Sequence, residues 1–310
     1  MEIKIVTSVA PYIANNASQA IELAHEDGFA GIELNEDHLH CLVRRKPNCL
    51  RLIKDYSIDK HMSNSIHKTL HRPSIDSENK NERRHAVEYT FKTIDYLESA
   101  GISRLVLHSF SDLPSFFRLR SEHANRIGYY VGGNAVKIYG FLAPLLKSYR
   151  QMRQESLKEN FMSSLFEISK YAADKKVSGK SIEIVFEEHF SDAIDYNAIP
   201  YGRGNLINVV RGIDTAHHLI RTGKNSELSE ISELIHFHAV DTNGLLDDHR
   251  TLGKGKVNFK DALSNIIEKK LTNIAVLEDG TRKSALKSKE VLKILIKNAE
   301  KKLYSSSNEI

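Results

Sequence analysis

The chain has 310 residues, of which 41% are hydrophobic and 27% are charged, and its formal net charge is +4. This apolar fraction can fill a large core, so it excludes wholesale disorder, and the six prolines exclude collagen-like and low-complexity classes. The two cysteines, Cys41 and Cys49, are too few for a disulfide framework. The segment MEIKIVTSVAPY has no continuous apolar stretch, and no apolar run approaches the roughly 20 residues that span a bilayer. We therefore predict a soluble, cytoplasmic, enzyme-sized protein without a membrane segment.

Short apolar segments rich in β-branched residues alternate with longer amphipathic segments along the chain. Eight segments are predicted as strands: Glu2–Ser8, Ala30–Leu34, His61–His67, Arg104–Ser109, Ser181–Glu187, Asn208–Asp214, Leu234–Asp241 and Asn273–Glu278. Apolar residues at three- and four-residue spacing predict helices between most of them, including Ser18–Asp27, Glu82–Ala100, Ser156–Lys176 and Lys287–Lys302. Gly28 and Gly101 each end a predicted helix, which is typical of a left-handed C-cap.

This alternation predicts an α/β fold, a (β/α)₈ TIM barrel. A doubly wound open sheet is the alternative, but it usually has a glycine-rich first turn, and TSVAPYIANN after the first strand is not one. We predict one barrel domain over residues 1–303, followed by a C-terminal tail at 304–310. An insertion at 112–148, after the fourth strand, is predicted to be either a lid or the contact of a homo-oligomer. The fifth βα unit lacks a convincing helical pattern and is predicted to be irregular.

Acidic and histidine side chains fall at the ends of six predicted strands. These residues are His67, His108, Glu187, Asp214, His238 and Glu278, and His217 follows Asp214 closely. Because the carboxyl ends of parallel strands meet at one face of a barrel, we expect these side chains to converge on one pocket. Carboxylates and imidazoles gathered there need a compensating cation, and the mixed ligand set suits Mn²⁺, Zn²⁺, Co²⁺ or Mg²⁺. Any one of them alone is more simply a helix cap or a core residue, but their coincidence at six strands favours a metal site.

The segment after His238 adds further candidates. Asp247 and His249 form a ligand-like pair, and two glycines bracket Lys254 at a point where the backbone can approach a substrate. His71 and Arg72 are weaker candidates for substrate contact. The remaining histidines near these strands are interpreted as structural residues or neighbours of the ligands: His61, His189, His218 and His236.

At these residues the sequence resembles the xylose-isomerase-like TIM-barrel superfamily, which contains sugar and sugar-phosphate isomerases and epimerases together with endonuclease IV. The resemblance spans nearly the whole chain. It follows, in order, GFAGIEL at Gly28–Leu34, SIH ending at His67, LVLH ending at His108, VFEEH around Glu187, IDTAH ending at His217, HAVD at His238–Asp241, DDHRTLGKG at Asp247–Gly255 and VLED around Glu278.

The resemblance implies a divalent-metal-dependent isomerase or epimerase that acts on a sugar, polyol or sugar phosphate. The four implied metal ligands are Glu187, Asp214, His238 and Glu278. Glu187 and Glu278 are then the catalytic pair that moves protons through an enediolate, and the partner is a small-molecule carbohydrate. His217 would lie beside the metal and face substrate hydroxyls.

The same resemblance implies an alternative, an endonuclease-IV-like phosphodiesterase that uses three Zn²⁺ and acts on abasic-site DNA. The sequence matches all nine ligand positions of that enzyme: His67, His108, Glu187, Asp214, His217, His238, Asp247, His249 and Glu278. It departs from the endonuclease pattern at Ser109–Phe110, at Glu188–His189 and at Lys254, which favours the isomerase or epimerase. A non-enzymatic binding module is disfavoured because the ligand residues are intact. The sequence leaves open the substrate, its phosphorylation, and the identity and number of the metal ions.

Overall fold

The computed structural model describes residues 2–12, 17–35, 65–68, 75–108, 158–188, 199–225, 231–233, 235–244 and 247–307. Eight of its strands are β1 (Lys4–Ser8), β2 (Ile32–Asn35), β3 (Ser65–Lys68), β4 (Arg104–His108), β5 (Glu183–Glu187), β6 (Val209–Asp214), β7 (Ile235–Ala239) and β8 (Ile274–Leu277). Each pairs in parallel with the next, and β8 pairs with β1, which closes the barrel. The predicted (β/α)₈ barrel is confirmed, and each predicted strand overlaps an observed one.

The barrel strands bury both of their faces, as parallel strands covered by helices do. Phe237 and Ala239 of β7 belong to the apolar core between the strands and the helices. Because side chains alternate along a strand, His236 and His238 point to the inner face of the barrel. The inner face is therefore partly polar, although the interior of such barrels is mostly filled by branched apolar residues.

Six α-helices lie in the described residues: α1 (Ala17–Glu26), α2 (Lys80–Ala100), α3 (158–174), α4 (Thr215–Thr222), α5 (Phe259–Lys269) and α6 (Arg282–Ser307). Asn79 caps α2, because its side chain accepts hydrogen bonds from two backbone N–H groups of the first turn. Gly101 ends α2 with a φ of 70°, which confirms the predicted left-handed C-cap. None of the helices in this part of the chain is long and apolar enough to cross a membrane.

The connections differ from regular βα units in two described places. An antiparallel pair at Lys176–Val177 and Lys180–Ser181, absent from the predicted elements, follows α3. Between β5 and β6 the described residues 199–208 contain one 3₁₀ turn, Gly204–Leu206, and no α-helix, which agrees with the predicted irregular fifth unit. The predicted insertion at 112–148 lies outside the described residues. The helix α6 continues to Ser307, into the segment predicted as a tail.

A cluster of polar contacts joins the last helix to the first βα unit. The Arg282 guanidinium donates two hydrogen bonds, of 2.7 and 2.6 Å, to the Asp27 carboxylate, which also accepts one of 2.8 Å from the Tyr12 hydroxyl. The buried Lys289 ammonium donates to the carbonyl oxygens of Asp27 and Gly28 at 2.6 and 2.7 Å. These contacts fix α6 against the start of the chain and so support the closure between β8 and β1.

Candidate metal centre

Four strands that are neighbours in the barrel bring the predicted ligands to one end of it. Glu187 is the last residue of β5 and Asp214 the last of β6, while His238 lies in β7 and Glu278 directly follows β8. The register pairs Asp214 with His238 across β6 and β7. Gly212 allows β5 and β6 to approach closely, because a Cβ at this position would lie only 2.7 Å from the Cα of Glu187.

The side chains of the four residues meet. The Nδ1 atom of His238 lies 3.1 Å from Glu187 Oε2 and 3.1 Å from Glu278 Oε1. Asp214, His238 and Glu278 each offer a ligand atom, and these atoms lie within 4.8 Å of one another. Glu187, Asp214 and His217 form a second such group. The structure thus gathers four carboxylate and imidazole donors from separate strands around a common centre.

Burial makes this concentration of negative charge costly. Glu187 is 1% exposed, and Asp214 and His238 are fully buried. Burial, followed by the nearby Glu187 and Glu278 carboxylates, raises the pKa of Asp214 to about 6, against the opposing effect of His217. The Oδ1 atom of Asp214 accepts the backbone N–H of His217, but its buried Oδ2 has no hydrogen-bond partner among the described residues. A divalent cation would satisfy this oxygen and offset the clustered charge, so the residues fit one.

The imidazole of His238 responds to the same charges. Burial alone would lower the pKa of His238, but the carboxylates of Glu187, Glu33 and Glu278 outweigh burial and raise the pKa well above its ordinary value. The surrounding carboxylates therefore favour the doubly protonated imidazole in the metal-free protein. A cation bound at Nδ1 has to displace the proton on that atom, which couples metal binding to pH.

A second group of predicted residues lies beside the first. The Nε2 atom of His217 lies 3.3 Å from Asp247 Oδ2, and the Nε2 atom of His249 lies 3.2 Å from Asp247 Oδ1. His249 also donates from Nδ1 to the backbone oxygen of Glu278 at 2.8 Å. Burial would lower the pKa of His249, but the carboxylate of Asp247 raises it to about 10. Asp247 thus joins the two histidines at the edge of the first group.

Asp241 fixes the loop that contains Asp247 and His249. Its buried carboxylate accepts backbone N–H groups of Thr242 and Val257 at Oδ1, at 2.9 and 3.2 Å. Its Oδ2 accepts those of Gly253 and Gly255 at 2.9 and 2.8 Å. A side chain at Gly255 would collide with this carboxylate, so glycine is required there. The two glycines noted in the sequence therefore shape the loop around Asp241.

We expect Asp241→Ala to lower the free energy of unfolding by about 3 kcal/mol or more, because it leaves several buried backbone donors without acceptors. Urea denaturation measures this loss. Asp174→Ala, which removes an exposed carboxylate from α3, is the matched control and should change the free energy little. Equal stability of the two variants would show that the loop does not depend on Asp241.

The remaining residues predicted from the sequence are described only in part, lie outside the described residues, or do not line the cavity. His67 lies in β3 and His108 ends β4, where its register partner is Glu187, so their backbone positions are on the correct strands, but their side chains lie outside the described residues. Arg72 lies outside the described residues altogether. Lys254 is exposed and is not among the described residues that line the cavity beside the ligands.

This cavity has a volume of about 610 Å³. Its lining consists of Ser8 at the end of β1, Val9 and Ala10, Glu33 and Asn35 of β2, Asp247–Thr251, and Glu278, Gly280, Thr281 and Ser284 near the start of α6. Ser8 is one of the lining residues, and its buried hydroxyl has no hydrogen-bond partner among the described residues. A cavity of this size suits a small molecule.

Two residues of this region were not predicted from the sequence: Ser8 and Glu33. Glu33 is 1% exposed, and its Oε1 atom lies 3.2 Å from the Nε2 atom of His238. A signal for Glu33 was present, because it is a charged residue inside the apolar strand segment AGIEL. Ser8 carries no comparable signal, since a serine at the end of a strand is common.

The sequence matches the family described as xylose isomerase-like TIM barrel over residues 21–298. The chain belongs to this family. The uncharacterized protein MJ1311 of Methanocaldococcus jannaschii is 28% identical over 140 residues, which cover 39% of this chain and 48% of that protein. The chain thus spans about half the length of this relative.

Solved structures of the same fold cover nearly the whole chain. A D-tagatose 3-epimerase-like protein is 18% identical, with a TM-score of 0.67 over 97% of this chain and 100% of that one. An L-ribulose 3-epimerase is 14% identical, with a TM-score of 0.65 over 98% of each chain. The IOLI protein with a bound zinc atom is 14% identical, with a TM-score of 0.63 over 98% of this chain and 99% of that one. At these identities the similarity establishes the shared barrel fold.

Proposed function

We propose that this protein is a divalent-metal-dependent isomerase or epimerase of a sugar, polyol or sugar phosphate. The observation on which this proposal rests is the convergence of Glu187, Asp214, His238 and Glu278 beside a cavity at one end of the barrel. Two of the structurally similar proteins are described as an epimerase or epimerase-like, and a third was solved with zinc, which supports both parts of the proposal.

The four ligands would hold one divalent ion, with Mn²⁺, Zn²⁺, Co²⁺ and Mg²⁺ as the candidates. When bound, such an ion supplies positive charge that polarises a substrate carbonyl and acidifies the neighbouring C–H group. Glu187 and Glu278 approach the His238 imidazole from β5 and β8, on either side of β7. In this proposal one of them removes the carbon-bound proton and the other delivers a proton, so that the substrate passes through an enediolate.

The described lining of the cavity favours a substrate rich in hydroxyl groups. Ser8, Asn35, Thr251, Thr281 and Ser284 contribute uncharged polar side chains. The Arg250 guanidinium in this lining donates to Asp248 at 2.5 Å, so its charge is already paired. Hydrogen bonding to neutral hydroxyls therefore suits this part of the cavity better than binding of a phosphate. His217 adds an imidazole beside Asp247 that can contact a hydroxyl near the metal.

Exchange of carbon-bound hydrogen with solvent tests the proposal. The protein, loaded with each candidate ion in turn, is incubated in D₂O with ketopentoses, ketohexoses and their phosphates, and ¹H NMR follows loss of the signal beside the carbonyl. We expect deuterium incorporation and a new epimer or isomer for at least one neutral sugar. Loaded protein that exchanges no hydrogen in any of these sugars would contradict the proposal.

A second candidate function is an endonuclease-IV-like phosphodiesterase with three zinc ions. The contacts of Asp247 with both His217 and His249 favour it, because they gather further metal-competent groups beside the first four. Metal analysis and a labelled abasic-site oligonucleotide distinguish the two functions. About one ion per chain without cleavage supports the isomerase or epimerase, whereas three zinc ions with cleavage support the nuclease.

A further inference from the structure

A row of polar side chains runs through the interior of the barrel, away from the cavity and toward the opposite end. It starts at Arg104, the first residue of β4, and Glu183, the first residue of β5. The Arg104 guanidinium donates from Nε and Nη2 to Glu183 Oε2 at 2.8 and 2.5 Å. Its remaining Nη1 lies 3.3 Å from the Nδ1 atom of His236.

The chemistry of arginine fixes which nitrogen of His236 is protonated. A guanidinium can only donate hydrogen bonds, so the Nδ1 atom of His236 has to accept. The proton of the neutral ring then lies on Nε2, which is 3.1 Å from Glu33 Oε2 and donates to it. Arg104 and His236 thereby hold the Glu33 carboxylate in a defined orientation.

Glu33 extends this row of side chains to the candidate metal centre. Its second oxygen, Oε1, lies 3.2 Å from the Nε2 atom of His238. The two atoms are at ion-pair distance without the alignment of a hydrogen bond, and the charge of this carboxylate favours a proton on Nε2 of His238. The other nitrogen, Nδ1, faces Glu187 and Glu278 at 3.1 Å and is the atom available to a metal ion. With a cation at Nδ1, the ring would therefore be oriented by Glu33 from the opposite side.

Burying this row of polar side chains costs free energy on folding. Glu33 and His236 are each 1% exposed, and His238 is fully buried, in a barrel interior that branched apolar side chains could fill. Buried charged groups of this kind often contribute less to stability than an apolar replacement would. Folding alone gives little reason for these residues, whereas the direct contact of Glu33 with a metal ligand gives one.

We propose that Glu33 is a positioning residue for the metal ligand His238, and that His236 and Arg104 hold Glu33 in place for this role. The proposal rests on the proposed metal function of the four-ligand centre. In many metalloproteins a carboxylate that accepts the distal N–H of a ligating histidine orients the ring and increases its basicity. Here the support for that carboxylate reaches the opposite end of the barrel.

Glu33→Gln tests the proposal without a substrate. Zn²⁺ affinity is measured by competition with a chromogenic chelator, and ¹⁵N NMR of histidine-labelled, Zn²⁺-loaded protein measures the chemical shift of the His238 Nε2–H group. We expect Glu33→Gln to weaken Zn²⁺ binding about 10–100-fold and, in Zn²⁺-loaded protein, to change the chemical shift of the His238 Nε2–H group that faces position 33. Arg104→Lys retains a cation beside Glu183 but removes the planar fork that reaches His236, and we expect a smaller loss in the same direction.

Arg84→Lys is the matched control, because Arg84 is exposed on α2, where it pairs with Glu88. It should leave Zn²⁺ affinity and the His238 spectrum unchanged. If circular dichroism shows that Glu33→Gln is unfolded, Arg104→Lys decides the question. Wild-type affinity and an unchanged His238 spectrum in a folded variant would overturn the proposal. Failure of the wild-type chain to bind Zn²⁺ would instead refute the proposed metal centre, and absence of sugar exchange in Zn²⁺-loaded protein would refute only the proposed reaction.

Discussion

Replacement of Glu187 or Glu278 by glutamine is expected to lower the turnover number by about 10²–10⁴-fold, the usual contribution of a group that transfers a proton in the transition state. Glutamine has nearly the same shape but cannot accept the proton. Both variants should also lose exchange of the substrate's carbon-bound hydrogen with solvent. The measurement is the rate of deuterium incorporation, at a Zn²⁺ concentration that saturates each variant.

Glu268→Gln provides the matched control, because Glu268 is exposed on α5. It should exchange hydrogen at the wild-type rate. Metal content has to be determined for every variant, since Glu187 and Glu278 are also proposed ligands and a glutamine weakens their binding to a cation. If both glutamine variants hold the metal and still exchange hydrogen, these residues do not transfer the proton.

Removal of divalent metal is expected to abolish activity and to lower the midpoint of thermal unfolding by about 5–10 °C relative to protein with Zn²⁺ at about 100 times its dissociation constant. The cation binds the folded ligand set and therefore adds to the stability of the native state. Differential scanning calorimetry with and without a chelator measures the change. A midpoint that does not depend on metal would show that the four ligands hold no stabilising ion.

The free energy of unfolding of the metal-free protein is expected to fall as pH rises. The pKa of His249 is raised to about 10, chiefly by Asp247 against the effect of burial, from an ordinary value of 6.5. The stabilisation due to this group is complete below its unfolded pKa and is lost as pH rises toward 10. Metal-free protein should therefore become less stable as pH rises above about 6.5.

The affinity of the protein for Zn²⁺ is expected to rise with pH. His238 has to release a proton before Nδ1 can bind the ion, and its pKa is raised by Glu187, Glu33 and Glu278 despite burial. The increase in the thermal midpoint caused by Zn²⁺ should therefore be larger at about pH 8 than at about pH 6. Calorimetry at both pH values measures it, and an equal increase at both would contradict this coupling.

The sequence predicts the barrel well because its signals are local. Each strand is a short apolar segment and each connection a helical pattern, so the strand order follows from parallel pairing of neighbours. The position of Glu187, Asp214, His238 and Glu278 at strand ends was sufficient to predict that they meet. The helix α4 and the antiparallel pair after α3 are too short for a clear periodic pattern, and the sequence analysis does not specify them.

The parts of the site that escaped prediction depend on contacts across the barrel. Glu33 and His236 are hydrogen-bonded although they are 203 positions apart in sequence. The sequence indicates only a structural residue or a neighbour of the ligands at His236, and the structure places it between Glu33 and Arg104. Because β2 and β7 do not pair with each other, strand register does not determine which of their side-chain atoms meet inside the barrel, and the contact of Glu33 is visible only in the structure. Lys254 illustrates the converse, since two flanking glycines suggested a substrate contact but serve the backbone around Asp241.

The hydrogen bonds by which Asp241 holds its loop affect which positions of the loop can be substituted during evolution. Its carboxylate binds main-chain N–H groups, which every residue except proline supplies, so the path of the loop depends little on most side chains along it. Arg250 and Thr251 lie on this loop and line the cavity. Mutations at these two positions can alter ligand selectivity while the backbone keeps its course, so new specificities can evolve here at a small cost in folding.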